Sequence, residues 1–529
     1  VRTQRLRVYL ADAMSAVLSR QIHLCTTETK PLRDTYVWLG FNSTANVPTW
    51  RSRVTTKPFK TSGDLVRRIW HLCHILRGDG VSYHEYISEL TYLLFLKIAE
   101  ETGTETALPE GCRWRDLVGY EGTDLLTFYR DMLTYLGGHA PSPIVQEIYA
   151  FPTTVFSHSE NLKAVIAGIA KLDWHSVTAD GMGDIYEGLL ARNSQDARSG
   201  AGQYFTPRPL VDCMVRLTRP ALGETIQDPS CGTGGFLISA KQYVEAGASS
   251  GAYASNPPSF EGVEIEKGTY RICQMNSFLH GLDARILLGD ALTTDAETLR
   301  LADLILANPP FGNKAGSARK TRSDLPHRTA NKQLAFLQHI WLGLKEGGRA
   351  AVVVPDNVLF EGGAGRSVRV DLMSECNLHT ILRLPNGIFY SQGVNTNVLF
   401  FTRRNGAADN SARVWVYDMR TAMPRFGKTR PLLPEHFAEF EALFGTDPNG
   451  GAPRSEGDQN GRWRCFGRAE IADREENLDV VWLSPQDGDA AAEDILPQEI
   501  ASTILFHLQA AIAEVESLAD EFSSEEVER

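Results

Sequence analysis

No run in this chain approaches the ~18 consecutive apolar residues that a membrane helix needs; the best, Tyr92 to Ala99, is interrupted by Lys97. A membrane span is therefore not expected. The amino-terminal stretch lacks a basic-then-apolar segment closed by small residues, which predicts no export. The eight cysteines lie far apart, at positions 25, 73, 112, 213, 231, 273, 376 and 465, with no C-x-x-C pair and no zinc-like spacing to histidine. Neither a disulfide framework nor a metal site follows, and the reduced cytoplasm is the expected compartment. His71-Leu72-Cys73-His74 falls inside a helical apolar pattern and reads as core packing rather than ligation. The 45 glycines and 25 prolines are scattered, which excludes collagen-like and low-complexity chains.

What is present is ordinary globular composition: 529 residues, 43% hydrophobic and 22% charged. At ~100–200 residues per domain that length predicts about three domains. The formal charge of -12 is unevenly spread. Residues 1–60 hold ten Lys/Arg against Asp12, Glu28 and Asp34, so residues 61–529 carry about -19. So acidic a surface does not hold DNA by general phosphate neutralisation, and action on DNA needs a local basic cleft or a basic partner. The basic leader, 1–60, starts at Val1 and has no sustained period. It reads as a disordered or upstream extension of the folding unit, and a helical arm fits its composition as well.

From Thr61 the pattern is helical. Leu65, Ile69, Leu72 and Leu76 recur at threes and fours behind the capping chemistry of Ser62-Gly63-Asp64. Tyr86 to Glu101 is apolar nearly all round, as a buried helix is. Further helical stretches, Leu125–Leu136, Asn161–Leu172 and Asp184 to Glu187, complete an N-terminal α-helical domain over 61–198. After Ala201 short apolar runs alternate with helices: Thr225–Gln227, Gly262–Ile265, Ile286–Leu288, Leu304–Ala307, Ala350–Val354, Thr380–Leu384 and Val398–Thr402. Seven strands of this kind predict an α/β domain over 199–405 with a mainly parallel sheet. Residues 406–494 are mixed and give no clear period. In 495–529, Ala501, Ile504, Leu508, Ala511, Val515, Leu518 and Phe522 form a heptad seam after Pro497. The seam fits a partner helix or this chain's own core equally well.

Ligands of such sheets bind beyond the carboxyl ends of the strands, so chemistry is sought there. The first strand ends in Asp228-Pro229-Ser230-Cys231-Gly232-Thr233-Gly234-Gly235, whose glycines permit a tight turn and close backbone approach. The spacing is not that of a dinucleotide fingerprint, and the Asp-Pro opening suits an amino and sulfonium ligand better than a phosphate. Glu264 ends the second strand, where a carboxylate can accept both hydroxyls of a ribose, and Asp290 follows the third, placed to accept from an adenine amino group. After the fourth stands Asn308-Pro309-Pro310-Phe311. The prolines fix the backbone, an amide oxygen and a carbonyl can both accept from one exocyclic amine, and Phe311 offers a face for an extruded base. Asn256-Pro257-Pro258-Ser259 follows no strand and has no aromatic, so it reads as a surface turn.

Four motifs in this order, with Gly202-Gln203-Tyr204-Phe205-Thr206-Pro207-Arg208 just ahead of the sheet, resemble the adenine-N6 DNA methyltransferases. More narrowly the chain resembles the modification (M) subunit of type I restriction–modification systems. The resemblance covers most of 61–405 and weakens to Asn477-Leu478-Asp479 and the last helix. It implies a helical domain, a seven-stranded Rossmann-like S-adenosylmethionine-dependent methyltransferase domain, and a C-terminal partner-binding helix. It implies that Gln203, Tyr204, Phe205, Thr206, Pro207, Arg208, Asp228, Gly232, Thr233, Gly234, Gly235 and Glu264 line the S-adenosylmethionine pocket, with Asp290 on the cofactor's adenine. Asn308, Pro309, Pro310 and Phe311 would then hold a flipped target adenine in double-stranded DNA. The partners it implies are a specificity (S) subunit, with two M chains per S, and a restriction (R) helicase-nuclease. Cys231 stands where relatives vary and makes the loop thiol-sensitive in principle.

Lys314, Arg319, Lys320, Arg322, Arg328 and Lys332, against Asp324 alone, make the most basic stretch of the α/β domain. It directly follows the Asn-Pro-Pro-Phe motif and reads as a loop closing on DNA phosphates; a solvated charged loop has the same composition. Asn386-Gly387-Ile388-Phe389, near Asn395-Thr396-Asn397, is a second candidate border of the base pocket. A cytosine-C5 enzyme would need an attacking cysteine after proline, and no Pro-Cys pair occurs. The competing readings are a stand-alone adenine methyltransferase with its own recognition segment in 406–529, a binding-only relative, and a protein or RNA methyltransferase.

Overall fold

The computed structural model describes residues 62–77, 83–172, 206–312, 322–385, 395–421, 430–456 and 461–483, together with 174, 189, 387–389, 423, 426 and 508. The leader 1–60, Asp184 to Glu187, Gln203 to Phe205, Lys314, Arg319, Lys320, Asn386 and the C-terminal seam apart from Leu508 lie outside the described residues.

Among the described residues six α-helices form the N-terminal part: α1 (Ser62–Arg77), α2 (Tyr83–Glu101), α3 (Trp114–Val118), α4 (Gly122–His139), α5 (Pro143–Ile148) and α6 (Ser159–Ala170). The all-round apolarity of α2 puts it at the centre, with Leu90, Leu93, Leu94, Phe95, Leu96, Ile98 and Ala99 buried. The interrupting Lys97 is buried with them because its ammonium meets Glu100 and Glu101, each at 2.6 Å. Leu72 packs into the same core, so tightly that a Cβ on Gly168 of α6 would lie 2.4 Å from its Cδ2. The central leucine of the His71–His74 stretch is thus a core residue. No metal-ligand cluster and no helix long and apolar enough to cross a membrane occur among the described residues.

Helix α7 (Arg208–Thr218) leads into a sheet of β1 (Thr225–Asp228), β2 (Ser259–Glu264), β3 (Ala284–Leu288), β4 (Ala302–Ala307), β5 (Leu344–Pro355), β6 (Cys376–Arg383), β7 (Thr396–Arg403), β8 (Arg413–Asp418) and β9 (Trp463–Gly467). The principal helices between them are α8 (Gly235–Gly247), α9 (Lys267–Leu279), α10 (Lys332–Gly343) and α11 (Ala364–Glu375). The order is β3-β2-β1-β4-β5-β7-β6-β8-β9, with β1 to β5 parallel and β7 antiparallel to both its neighbours. All seven expected strands are present. The sheet has nine because β8 and β9 come from the segment without a clear period, where they pair antiparallel at the edge and stack Trp415 on Trp463.

Core residues alternate between the two faces of the sheet. Leu304, Leu306, Ala351, Val353, Val398 and Phe400 meet one core; Ile305, Ala307, Val352, Val354, Leu399 and Phe401 meet the other. Both faces being covered, the strands read as continuous apolar runs. Helix α9 belongs to both parts: its Ile272 and Met275 lie in the helical core, and Tyr270 Oη donates to Glu147 of α5 at 2.9 Å. The helical domain is thereby fixed beside the helix that follows Glu264.

The chain returns to the sheet after α13, taking α12 as Ala438–Phe444 and α13 as Arg468–Asp473. Two buried arginines hold this return: Arg369 Nε donates to the Glu476 carbonyl at 2.7 Å, and Arg383 donates to the Val480 carbonyl and, at 2.7 Å, to Asp479 Oδ1. Removing the Asp479 carboxylate leaves the Arg383 guanidinium, 5% exposed, without its counter-ion. Breaking one side of such a pair costs about 3–5 kcal/mol. Asp479→Ala is expected to lower the urea midpoint accordingly, whereas Arg383→Met with Asp479→Leu should cost less than the single change. A double variant at least as unstable as Asp479→Ala would show that the charge is not what the pair contributes.

Candidate active site

Strand order reverses between β1 and β4, which are paired through Ile226↔Leu304 and Gln227↔Ile305 while β2 continues on the other side of β1. A crevice opens at the carboxyl ends on either side of such a reversal. Asp228 ends β1 and Asn308 follows β4, so the first and fourth motifs flank one crevice.

The loop after β1 is folded beneath that crevice. Gly232 (φ +54°) and Gly234 (φ +84°) take left-handed backbone, and a Cβ on Gly234 would stand 3.1 Å from Cys273 Sγ. Cys231 N donates to the Val263 carbonyl at 3.0 Å, Gly232 N to Glu264 Oε2 at 3.1 Å, and Asn276 Nδ2 to the Thr233 carbonyl at 2.9 Å. Gly289 N donates to the Glu264 carbonyl at 2.9 Å, which ties the end of β3 to that of β2. Glu264 is therefore the hinge of three motifs. The thiol of Cys231 is buried 3.9 Å from that of Cys273, and this contact and burial push it up. A protonated, buried thiol is a poor nucleophile, which argues against the thiol sensitivity the sequence suggests.

The two innermost carboxyls are unusual. Burial, reinforced by the nearby Glu264 charge, pushes Asp228 up to about 8, although Ser230 N donates to its Oδ1 at 3.0 Å. Burial also pushes Glu264 up to about 7, against hydrogen bonds from the backbone of Glu266 and Gly232. Asp290 is half-buried, its Oδ1 accepting from Leu292 N at 2.9 Å. Sequence reasoning passed over two residues here: Ile265, 59% exposed beside Glu264, and Leu288, 37% exposed before Gly289-Asp290. An apolar residue abutting a strand-end acid was the available signal. Together the carboxyls and these apolar faces suit a nucleoside with hydroxyl and amino donors.

At the fourth motif Asn308 Nδ2 donates to Thr206 Oγ1 at 3.0 Å, across 102 residues of sequence. Its Oδ1 is buried with no partner among the described residues. Phe311 is half-buried and meets Phe389 edge-on at 6.4 Å between ring centroids. Thr206, just ahead of α7, and Phe389, after β6, thus both meet the Asn-Pro-Pro-Phe motif. Arg208 is committed to Gln242 at 2.6 Å and Asp212 at 3.1 Å. Of the basic stretch, Arg328 is exposed and Lys332 half-buried. Arg322 turns inward to Asp324 and to His339, whose ring burial holds near 3 and therefore neutral. The Asn256 turn lies ahead of β2, at the far end of the sheet from the crevice, with its carbonyl accepting from Gly223 N.

A family model of the N-6 DNA methylases matches residues 177–486, and one of the HsdM N-terminal domain matches 65–169. The chain belongs to the N-6 DNA methylase family. It is 43% identical over 512 residues to the type I restriction enzyme EcoKI methylase subunit of Escherichia coli K12, covering 88% of this chain and 96% of that one. The EcoEI methylase subunit of Escherichia coli is 31% identical over 444 residues, 78% of this chain and 88% of its own. The crystal structure of the EcoKI M protein superposes with a TM-score of 0.50 at 38% identity, over 85% of this chain and 96% of that one. A chain solved in a study of type I R-M complex assembly reaches 0.63 at 26% identity, over 88% and 99%. The methylase is thus an adenine-N6 DNA methyltransferase of the type I kind.

Unfolded carboxyls titrate near ~4, so between about pH 4 and 8 the folded methylase holds more protons than the unfolded chain at Asp228 and Glu264. More protons on the folded side mean that stability falls as pH rises. Above pH 6.5 the buried neutral histidines, His339 and His379, no longer oppose this. Between about pH 6.5 and 8.5 the ligand-free methylase should lose urea resistance, and Asp228→Asn with Glu264→Gln should flatten the slope. An identical slope in that variant would mean that these carboxyls are ionised throughout.

Proposed function

We propose that this chain transfers a methyl group from S-adenosylmethionine to N6 of an adenine turned out of double-stranded DNA. In this reading it is the modification subunit of a type I system, with target choice supplied by a separate specificity subunit. The unpartnered, buried Oδ1 of Asn308 carries the reading. Burying an acceptor without a donor costs about 1–3 kcal/mol, and an exocyclic amine is the donor that would relieve it. With Nδ2 donating to Thr206, the oxygen and not the nitrogen is the end of the amide left for a ligand.

The residues present fit S-adenosylmethionine. Glu264 offers a carboxylate for ribose hydroxyls, Ile265 and Leu288 offer apolar faces to the adenine, Asp290 an acceptor for its amine, and the loop from Gly232 to Gly235 room for backbone approach. The cofactor supplies a methyl group already activated on a positive sulfonium. The protein then has only to orient, exclude water and accept. Asn308 Oδ1 and the Pro309 carbonyl accept from the amine, draw its lone pair out of conjugation with the ring and aim it along the line of transfer. Phe311, braced by Phe389, supports the extruded ring.

The relatives are subunits by name, and residues 61–529 are strongly acidic, which supports a DNA grip shared with a basic partner. An assembly of two modification chains per specificity chain, joined by a helicase-nuclease, is the form this proposal takes. Purified alone, the chain should bind S-adenosylmethionine in calorimetry yet transfer no radiolabelled methyl to a defined duplex site; adding the specificity chain should confer both site choice and rate. Full-rate methylation of one discrete sequence by the isolated chain would favour a stand-alone enzyme. Within the complex, Asn308→Ala should cost about 10²-fold or more in transfer rate. Its cofactor affinity should be unchanged, and parallel loss of that affinity would remove Asn308 from the base.

A further inference from the structure

The motif that receives the adenine in this reading is not free-standing. Gln333 Nε2, at the start of α10, donates to the Pro310 carbonyl at 2.7 Å, and Lys332 N donates to the Gly312 carbonyl at 3.2 Å. Gln333 is only 2% exposed, where an amide is costly unless hydrogen-bonded. The turn that aims it is itself built. Asn331 Oδ1 caps α10 by accepting from Gln333 N at 3.0 Å and Leu334 N at 3.3 Å. Asn331 Nδ2 donates to Glu361 Oε2 at 2.7 Å, an oxygen that also accepts from Asn357 Nδ2 at 2.9 Å. Gly312 and Lys332 bracket the basic stretch, so both of its ends meet at the Asn-Pro-Pro-Phe motif.

We infer that Gln333 is a positioning residue for methyl transfer. Each proline ring locks its own φ, which leaves ψ as the one soft torsion between the peptide planes on either side of Pro310, and a hydrogen bond to the Pro310 carbonyl restrains that torsion. Holding the Pro310 carbonyl therefore holds the Pro309 carbonyl, to which no described residue donates, in register with Asn308 Oδ1. The amide of Gln333 also removes Pro310 from competition: two acceptors remain for an amine with two hydrogens. The inference deepens the adenine-N6 reading and rests on it.

The test uses the complex with its specificity chain and a duplex substrate, under single turnover. Gln333→Leu keeps the bulk and loses the donor; its rate constant should fall about 10- to 100-fold, with full amplitude and unchanged cofactor affinity. A reduced amplitude at the wild-type rate constant would mean loss of folded protein only and would overturn the inference. Gln333→Glu supplies a readout that packing alone does not move. Protonated, its carboxyl O–H can donate to the Pro310 carbonyl; ionised, it repels that oxygen, and burial raises the pH at which this happens. Its rate relative to wild type should therefore be greater at pH 6 than at pH 8.5. A ratio flat in pH overturns the inference even if Gln333→Leu fails to fold. The wild-type arm is analysed for N6-methyladenine in the product DNA, and its absence would count against the proposed function rather than against Gln333.

Discussion

The hydrogen bond from Asn308 to Thr206 sets what the rest of the crevice can do. An amide presents a donor at one end and an acceptor at the other, and nothing in the Asn-Pro-Pro-Phe sequence says which faces the ligand. Thr206, from a segment ahead of the sheet, takes the donor end. The acceptor end is then buried and unmatched. A buried, unmatched acceptor selects an amine over a carbonyl, as leaving buried polar groups unpaired is the stronger discriminator. Adenine and cytosine present an exocyclic amino group where guanine and thymine present an oxygen, so the amide separates these two pairs of bases.

The other half of the crevice is electrostatic. Asp228 and Glu264 sit at the ends of adjacent parallel strands, both nearly fully buried; burial raises the cost of ionising each, and the Glu264 charge adds to that of Asp228 as Glu266 adds to that of Glu264. A positively charged ligand arriving between strands held in this way relieves like-charge repulsion and stabilises the ionised carboxyls. The fold is thus less stable with the crevice empty and charged than with it filled, and that difference is available to binding. The backbone amides from Gly232 and Glu266 hold Glu264 in place meanwhile, which keeps the acceptor oriented before the ligand comes.

Much of this was legible in the sequence, and the rest was not for identifiable reasons. Strands β1 to β7 announced themselves as apolar runs, most of them because both sheet faces are covered, β3 being a partly buried edge strand, and the four strand-end motifs followed from their positions. Strands β8 and β9 did not: β8 is buried from Val414 to Asp418, but its partner β9 lies beyond α12 and is a short strand with Arg464 and Gly467 exposed, so no local pattern pairs the two. Ile265 was hidden by the attention its neighbour Glu264 drew. Arg322 counted as a phosphate contact by composition, yet its partner His339 sits 17 residues on, a pairing no local pattern encodes. Gln333 is the sharpest case: a glutamine in the first turn of an apolar helix carries no signal, and only the fold brings it to Pro310.

The same logic reaches the far side of the sheet. Asp356, at the end of β5, binds Arg420 at 2.5 Å and Asn397 at 2.9 Å, and Arg420 also donates to the carbonyls of Leu384 and Thr396. Leu384 is the neighbour of Arg383, which holds Asp479. The Asn395–Asn397 and Asn477–Asp479 segments, weakly marked in the sequence, are therefore two ends of one buried polar network around the base of the segment that carries Phe389. Such networks favour a single arrangement over a range. Asp228 and Glu264 have no ion-pair partner among the described residues, whereas here Asp356 and Asp479 are each paired with an arginine. In the proposed reading, in which the crevice takes two ligands, both conditions are needed, because unsatisfied groups can select a ligand only if the frame around them does not move to satisfy them first.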